Sequence, residues 1–532
     1  MKIVKYISPL LGLALLAASC KKDTFVNINV DPNTLYAVDP AAEFLEAGAG
    51  SQSDFEYYYD VYRDINYWMQ YTTNPAGNSP TFTTPQSNFN YRYGVFYGKV
   101  GRDLADMPVQ VSRMTPDQQA RKQNILAIAA IFKAYYAFYV SDINGSIPYT
   151  DAFQARQGGT LTPKYDTQQD LFDTLDTQIK TAVHTLETNN SATQDSLALN
   201  DPFYGRLANN TAPYWIKAGN ALRLKIALRL MKRSPDKLTS IAQEVLADAN
   251  QMSSNDDGWV LLVGPAYANA SGNWNPSDFP AAKPFIDFLN TNGDPRLGAF
   301  FMKDNQGGYR GSWPSPDEAK LPANKGLYNN VDTFAQIQPR LFAPNYDYGD
   351  GNGAGTGVGF FPLLTYAEYC FIRADLAARG IAGSNPDVWY ANGIKASVAF
   401  YDERAIEANI KGYVSKASTV NTYLAMPDIA YDATKGIEQI ACQANIELFR
   451  QPSEAWAWWK RTGFPNTTTV LPWSDLKANG AELVPPRRAM LVLSLPTYSN
   501  YNNQKAAYDA MASDPNFGAL NDPFGRVWWD AP

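Results

Sequence analysis

The chain has one histidine, His184, and three cysteines, Cys20, Cys370 and Cys442. A single histidine excludes any metal site built from several imidazoles, and leaves histidine-based nucleophilic catalysis to that one residue. It lies in TAVHTLETNN, a polar helix end, and reads as a solvated side chain. Cys370 and Cys442 fall within helical patterns and read as small buried hydrophobes. Their spacing neither requires nor forbids a disulfide. Positive charge is short as well: 45 Lys and Arg stand against 52 Asp and Glu, a formal charge of −7. No basic stripe gathers, which excludes nucleic acid as a partner and bulk contact with anionic lipid. Apolar runs are also scarce. Ile7 to Ala18 falls short of the roughly 20 residues a spanning helix needs, and no later segment reads as apolar enough to span.

The N-terminus nevertheless reads as an address. Lys2 and Lys5 precede the apolar run, which ends in Leu16-Ala17-Ala18-Ser19-Cys20. Small residues before a lone cysteine resemble a bacterial lipobox, with Ala17 where leucine is usual. The expectation is a signal peptide over 1–19, cleavage before Cys20 and acylation of that cysteine as the lipidation site. Acyl chains would hold the protein at a membrane, each buried CH₂ adding ~0.8 kcal/mol. A polar tether over 20–40 follows, then a body over 41–532.

Aromatics are plentiful: 33 Tyr and 12 Trp, with 13% aromatic overall. Tyr and Trp carry an apolar face and a polar tip, so they suit both packing and wet binding surfaces. The body reads as mainly helical. Thr115-Pro116-Asp117-Gln118 is a capping box with Pro at the first helical position. Ile125, Ile128, Ala129, Phe132, Tyr136 and Tyr139 then recur three and four apart, one wide stripe on a long central helix. It runs into Asn144-Gly145-Ser146-Ile147-Pro148-Tyr149, a turn with an extended exit. Further helical patterns cover Ala41 to about Met69, Thr167 to Leu186, Tyr214 to about Arg233, Thr239 to Asn250, Thr365 to Gly380, Trp389 to Tyr401 and Gly436 to Phe449. The pairing of Thr365–Gly380 with Trp389–Tyr401, with small residues at the contact, resembles a tetratricopeptide pair. The fold class expected is mainly α: a tetratricopeptide-like right-handed helical solenoid with long irregular insertions.

The main irregular insertion spans about 252–360, where Gly, Pro, Asn and Asp rise and periodicity fades. Long irregular segments in globular chains are more often functional than idle. Trp259, Tyr267, Trp274 and Trp313 read as its exposed aromatics. Two tempting motifs fail: DYGDGNG at Asp347–Gly353 lacks the calcium-loop register, and the glycine run after it follows no strand, against a dinucleotide site. No metal ligands and no cofactor are expected.

The stretch YVSDINGSIPYTDAF, with Ser146 in place of a second Asp, resembles the D-x-x-G-D-I-P-Y turn of the SusD/RagB family of outer-membrane lipoproteins. Tyr214-Trp215-Ile216-Lys217 to Lys225 resembles K-W-x-K-x-x-N-S-L-R-L-R, and Asp294-Pro295-Arg296-Leu297 matches D-P-R-L. QANIELF followed by EAWAWWKRTGFP is similar to Q-K-W-I-A-L-F and E-A-W-x-E-W-R-R-T-G-x-P. Pro485 to Arg488 resembles the closing P-R-R segment. The resemblance covers almost the whole mature chain in one order. It implies a cell-surface, lipid-anchored protein of the outer membrane that captures glycans and delivers them to a SusC-like TonB-dependent transporter. An oligopeptide ligand is the alternative.

Two aromatic clusters bracket the polar loop Thr72 to Asn90. Flat rings stack on the C–H faces of sugars, and amides such as Asn88 and Asn90 bond hydroxyls. The ligand-binding candidates are therefore Trp68, Tyr71, Tyr91, Tyr93, Trp274 and Trp313. No catalytic residues are assigned. A two-carboxylate glycosidase would have to draw on Asp142, Asp166, Asp287, Asp294 or Glu454, each of which reads first as a cap, turn or ion-pair residue. Trp456 and Trp459 read as core.

Overall fold

A computed structural model describes residues 38–532 apart from 86, 189–192, 269–271 and 277. Cys20, the expected signal peptide and most of the expected tether lie outside the described residues. The protein is mainly helical. Its longer helices, in chain order, are α1 (Pro40–Ala49), α2 (Gly101–Ser112), α3 (Gln123–Asn144), α4 (Gln168–Thr188), α5 (Ala212–Leu228), α6 (Pro235–Ala247), α7 (Lys283–Thr291), α8 (Tyr366–Ala378), α9 (Pro386–Glu407), α10 (Gly436–Glu447), α11 (Pro452–Thr462) and α12 (Tyr501–Ala512).

The stack grows from near neighbours in the chain. Helix α3 packs on α4, α4 on α5 and α5 on α6, while α8 and α9 form the most extensive helix pair and α10 packs on both. Consecutive packed pairs of this kind give the tetratricopeptide-like layer read from the sequence.

Starts are set by local chemistry. Thr115 caps a short helix over Pro116–Arg121, with Gln118 closing the capping box as read. The central element is broken there: α3 begins only after Lys122. Asp39 caps α1, its carboxylate accepting from the Ala41 amide at 3.0 Å. Pro235 does more than stop the preceding helix. It occupies the first turn of α6, where its missing N–H costs nothing and its fixed φ suits helix entry. Pro386 opens α9 in the same way, so that helix is longer than the stripe from Trp389 to Tyr401 suggested.

Helix α3 lies at the centre, and it corrects one expectation. By length and composition Gln123–Asn144 is apolar enough to cross a membrane. Most of it is instead buried by protein, on nearly every face rather than on one stripe. Packed helices supply the apolar surroundings a bilayer would otherwise provide.

Gly145 ends α3 at φ 74°. A Cβ there would stand 2.5 Å from Met511 Sδ on α12, so the turn also serves as a docking point for the C-terminal helix.

Two strands pin the insertion at its base. β1 (Trp259–Val263) and β2 (Gly359–Leu364) pair antiparallel, Trp259 opposite Leu364 and Val263 opposite Gly359. The chain leaves the helical body along β1 and returns along β2 directly into α8, which Thr365 caps.

Cys370 and Cys442 are buried free thiols, and burial pushes both up to about 12. His184 is exposed, as read.

Candidate ligand-binding surface

The charged residues of the recognisable motifs face one another inside the body. Arg229, just beyond α5, donates to Asp142 on α3 at 2.9 Å and to Glu454 on α11 at 2.8 Å. Lys225 lies 2.9 Å from Glu368 and 3.3 Å from Glu454. Arg461 pairs with Asp375 at 2.6 Å, and Arg296 with Asp294 at 2.6 Å. All are buried. Such lattices are costly to break, because removing one partner strands a desolvated charge.

The same pairing accounts for the carboxylates a glycosidase would need. Asp142, Asp294 and Glu454 are committed to buried cations. Asp287 pairs with Lys283 on α7. Asp166 accepts from the Tyr149 and Thr150 amides at 2.8 and 3.0 Å, holding the turn after α3. An interior cavity of about 50 Å³ lies among Glu56, Tyr139, Asp142, Lys225 and Glu454. It has room for a few waters and none for a sugar ring.

The aromatic candidates separate by burial. Trp68 is fully buried, its Nε1 donating to the Phe82 carbonyl at 3.1 Å and its ring against Trp456 at 5.4 Å. Tyr71 is equally buried, its ring between Phe285 and Phe449 and its hydroxyl on the Asn445 carbonyl. Trp274 packs against Tyr57, Tyr267 and Phe361, with ring centroids 5.0–5.7 Å away. Trp259 sits in β1 against Trp215 at 4.7 Å. These are core residues, contrary to the reading of Trp68, Tyr71 and Trp274 as ligand contacts and of Trp259 and Trp274 as exposed. Each indole or phenol ring removes more apolar area from water in the packed interior than it could in a shallow site. Tyr93 is partly buried against Tyr97 at 4.4 Å, and burial pushes its hydroxyl up to about 12. Trp313 is partly buried beside Phe334. Trp456 is core, as read.

Tyr91 alone of the six joins an open aromatic surface. A π-helix over Glu56–Ile65 follows Phe55, and such turns are frequent at functional sites. Phe55, Tyr59 and Tyr91 lie with their rings within 13–18° of parallel and their centroids 6.3, 5.9 and 5.7 Å apart. Three near-equal separations cannot come from one column, where the outer pair would be twice as far apart. The rings therefore form a staggered slab. Phe55 is 50% exposed, and Tyr59 and Tyr91 are partly exposed.

The slab is braced from behind. Tyr58 meets Tyr59 edge-on at 4.8 Å and carries the Arg63 guanidinium 3.5 Å from its own ring. Asp60, fully buried on the π-helix, accepts from Ser87 and is pushed up to about 7, chiefly by burial and then by Glu56. Asn90 is exposed beside Tyr91, and its amide makes no capping bond to the helix it precedes. The segment DFEYYYD carried a signal for this surface. Four aromatics in five positions exceed what one helix face can bury, so some must point outward.

A sequence profile of the SusD-like family, described as starch-binding and associating with the outer membrane, matches residues 38–491. The chain belongs to the SusD-like family. No curated protein matches its sequence significantly. Among solved structures, SusD-like folds superpose over most of the chain. A chitin-binding protein shares 22% identity over 93% of this chain and 100% of its own, with a TM-score of 0.69. A SusD homologue from Bacteroides fragilis shares 22% over 93% and 99%, with a TM-score of 0.67. A chitin-binding SusD homologue from Flavobacterium johnsoniae shares 19% over 92% and 98%, with a TM-score of 0.64. At such identities the SusD-like fold is what is held in common. The motifs that carried the resemblance supply several members of this chain's buried ion pairs, among them Asp142, Lys225, Asp294, Arg296, Glu454 and Arg461.

Proposed function

We propose that this SusD-like protein is a cell-surface lipoprotein that captures glycans and delivers them to a SusC-like TonB-dependent transporter. The observation that carries the reading is the exposed Phe55–Tyr59–Tyr91 slab. Parallel rings offer a flat apolar face to the C–H faces of successive sugar units, and the neighbouring Asn90 amide can bond their hydroxyls. Two of the structural neighbours are chitin-binding proteins, which agrees with it. Tyr93 and Trp313, partly exposed, are proposed as secondary contacts. Capture needs no covalent chemistry, and the carboxylates weighed for hydrolysis have cations or turn amides as partners.

We assign residues 1–19 to a signal peptide, 20–40 to a tether acylated at Cys20, and 41–532 to the binding body. An oligopeptide ligand is the second reading, since the same slab stacks on proline and aromatic side chains. A glycan and peptide array probed with the chain from Lys21 onward tests both. Glycan retention that falls in a Phe55→Ala/Tyr59→Ala variant supports the proposal. Retention of peptides alone would replace the ligand class, and hydrolysis of an arrayed polysaccharide would replace capture by catalysis.

A further inference from the structure

A second cavity lies away from the slab, where the turn after α3 meets the C-terminal segment. Its volume is about 520 Å³, within the range of small-molecule sites. The interior 50 Å³ space is an order of magnitude smaller. The new cavity is walled by the partly buried indole of Trp528 and the thioether of Met511, with Arg233, Asp514, Asn516 and Arg526 supplying polar atoms.

Those polar groups are held in position. Arg233 donates through Nε to the Trp528 carbonyl at 2.7 Å and pairs with Asp514. Asp514 accepts from the Asn516 amide and side chain at 2.9 and 3.0 Å. Arg526 pairs with Asp530 at 3.2 Å, and its backbone N–H donates to the Asn516 carbonyl at 2.8 Å. The Trp528 ring is fixed edge-on to Phe172 of α4. Ala510, Ser513 and Pro515 form an exposed rim.

Arg233 has Asp514 as its countercharge, while Arg526 shares Asp530 with Arg487, which pairs with that carboxylate at 2.6 Å. What the cavity offers is the Trp528 indole beside a fixed set of donors and acceptors. That combination suits a neutral polyol: a ring C–H face on Trp528, and hydroxyls on Asp514, Asn516 and the guanidinium edges. We infer that this cavity is a second saccharide site, sized for a short oligosaccharide and independent of the slab. The ligand class rests on the glycan reading above; the site itself rests on the cavity.

The test is calorimetric titration of the full mature chain in detergent with chitotriose, maltotriose, cellotriose and xylotriose. The expected result is two sites per chain for the sugar that binds. Ala510→Trp or Ser513→Trp, each filling the cavity from its exposed rim, should remove one site and leave the other. Phe55→Ala/Tyr59→Ala should do the reverse. Unchanged titrations for both rim variants, with their melting temperatures preserved, would overturn the inference while leaving capture by the slab intact. A single site abolished by the slab variant would do the same. Absence of binding by all four sugars would overturn both.

Discussion

Arg229 and Asp142, 87 residues apart in the chain, meet at 2.9 Å with the arginine side chain fully buried. The pair joins the stretch after α5 to the end of α3, and Glu454 extends it to α11. Burial pushes Asp142 up, yet Arg229 and Lys460 outweigh it and hold the carboxyl below its ordinary value. The most recognisable acidic residue of the turn motif is thus a fastening.

Removing that fastening should be expensive. Asp142→Ala leaves Arg229 with half its countercharge in a dry interior, a loss of about 3–5 kcal/mol. Urea unfolding of the variant should show it. A loss under about 1 kcal/mol would mean that the pair contributes little.

The aromatic residues should divide by exposure. Tyr59→Ala should change stability by about 0.5 kcal/mol or less and weaken glycan retention. Trp274→Ala, deep among Tyr57, Tyr267 and Phe361, should cost about 3–5 kcal/mol. Thermal melts of both variants, read beside binding, separate the two roles.

Stability should depend on pH through Glu447. Burial, its largest influence, raises its carboxyl from 4.5 to about 7, against the bonds from Ser397 and Thr365. The folded state therefore holds a proton that the unfolded chain releases between pH 4.5 and 7. By linkage the contribution is fully present below about 4.5 and is lost as pH rises through about 7. Glu447→Gln keeps an acceptor for the Thr365 hydroxyl and should flatten that fall in urea titrations at pH 5 and 8. An unchanged slope would reassign it.

At Gly145, alanine meets both a positive φ and the Met511 sulfur. Gly145→Ala should destabilise by about 1–3 kcal/mol. Adding Met511→Ala should relieve the contact and leave the backbone strain, so a partial recovery of melting temperature is expected.

Cys20→Ala should abolish acylation and move the protein from the membrane to the soluble fraction. Unchanged fractionation would refute the anchor.

Periodicity and caps are local, so they can be read along the chain. Thr115 with Gln118, the stripes of α4 and α10 and the proline starts all mark helices without knowledge of a partner, and the ordered motifs marked the SusD-like family. Which face of an aromatic-rich segment meets water is not local. Trp68 and Tyr71 became core because α7, α10 and α11 arrive from hundreds of residues away to cover them. Phe55, Tyr59 and Tyr91 stay open because, among the described residues, no element covers their exposed side. Burial is decided by what comes to lie opposite a side chain, and only the folded chain supplies that.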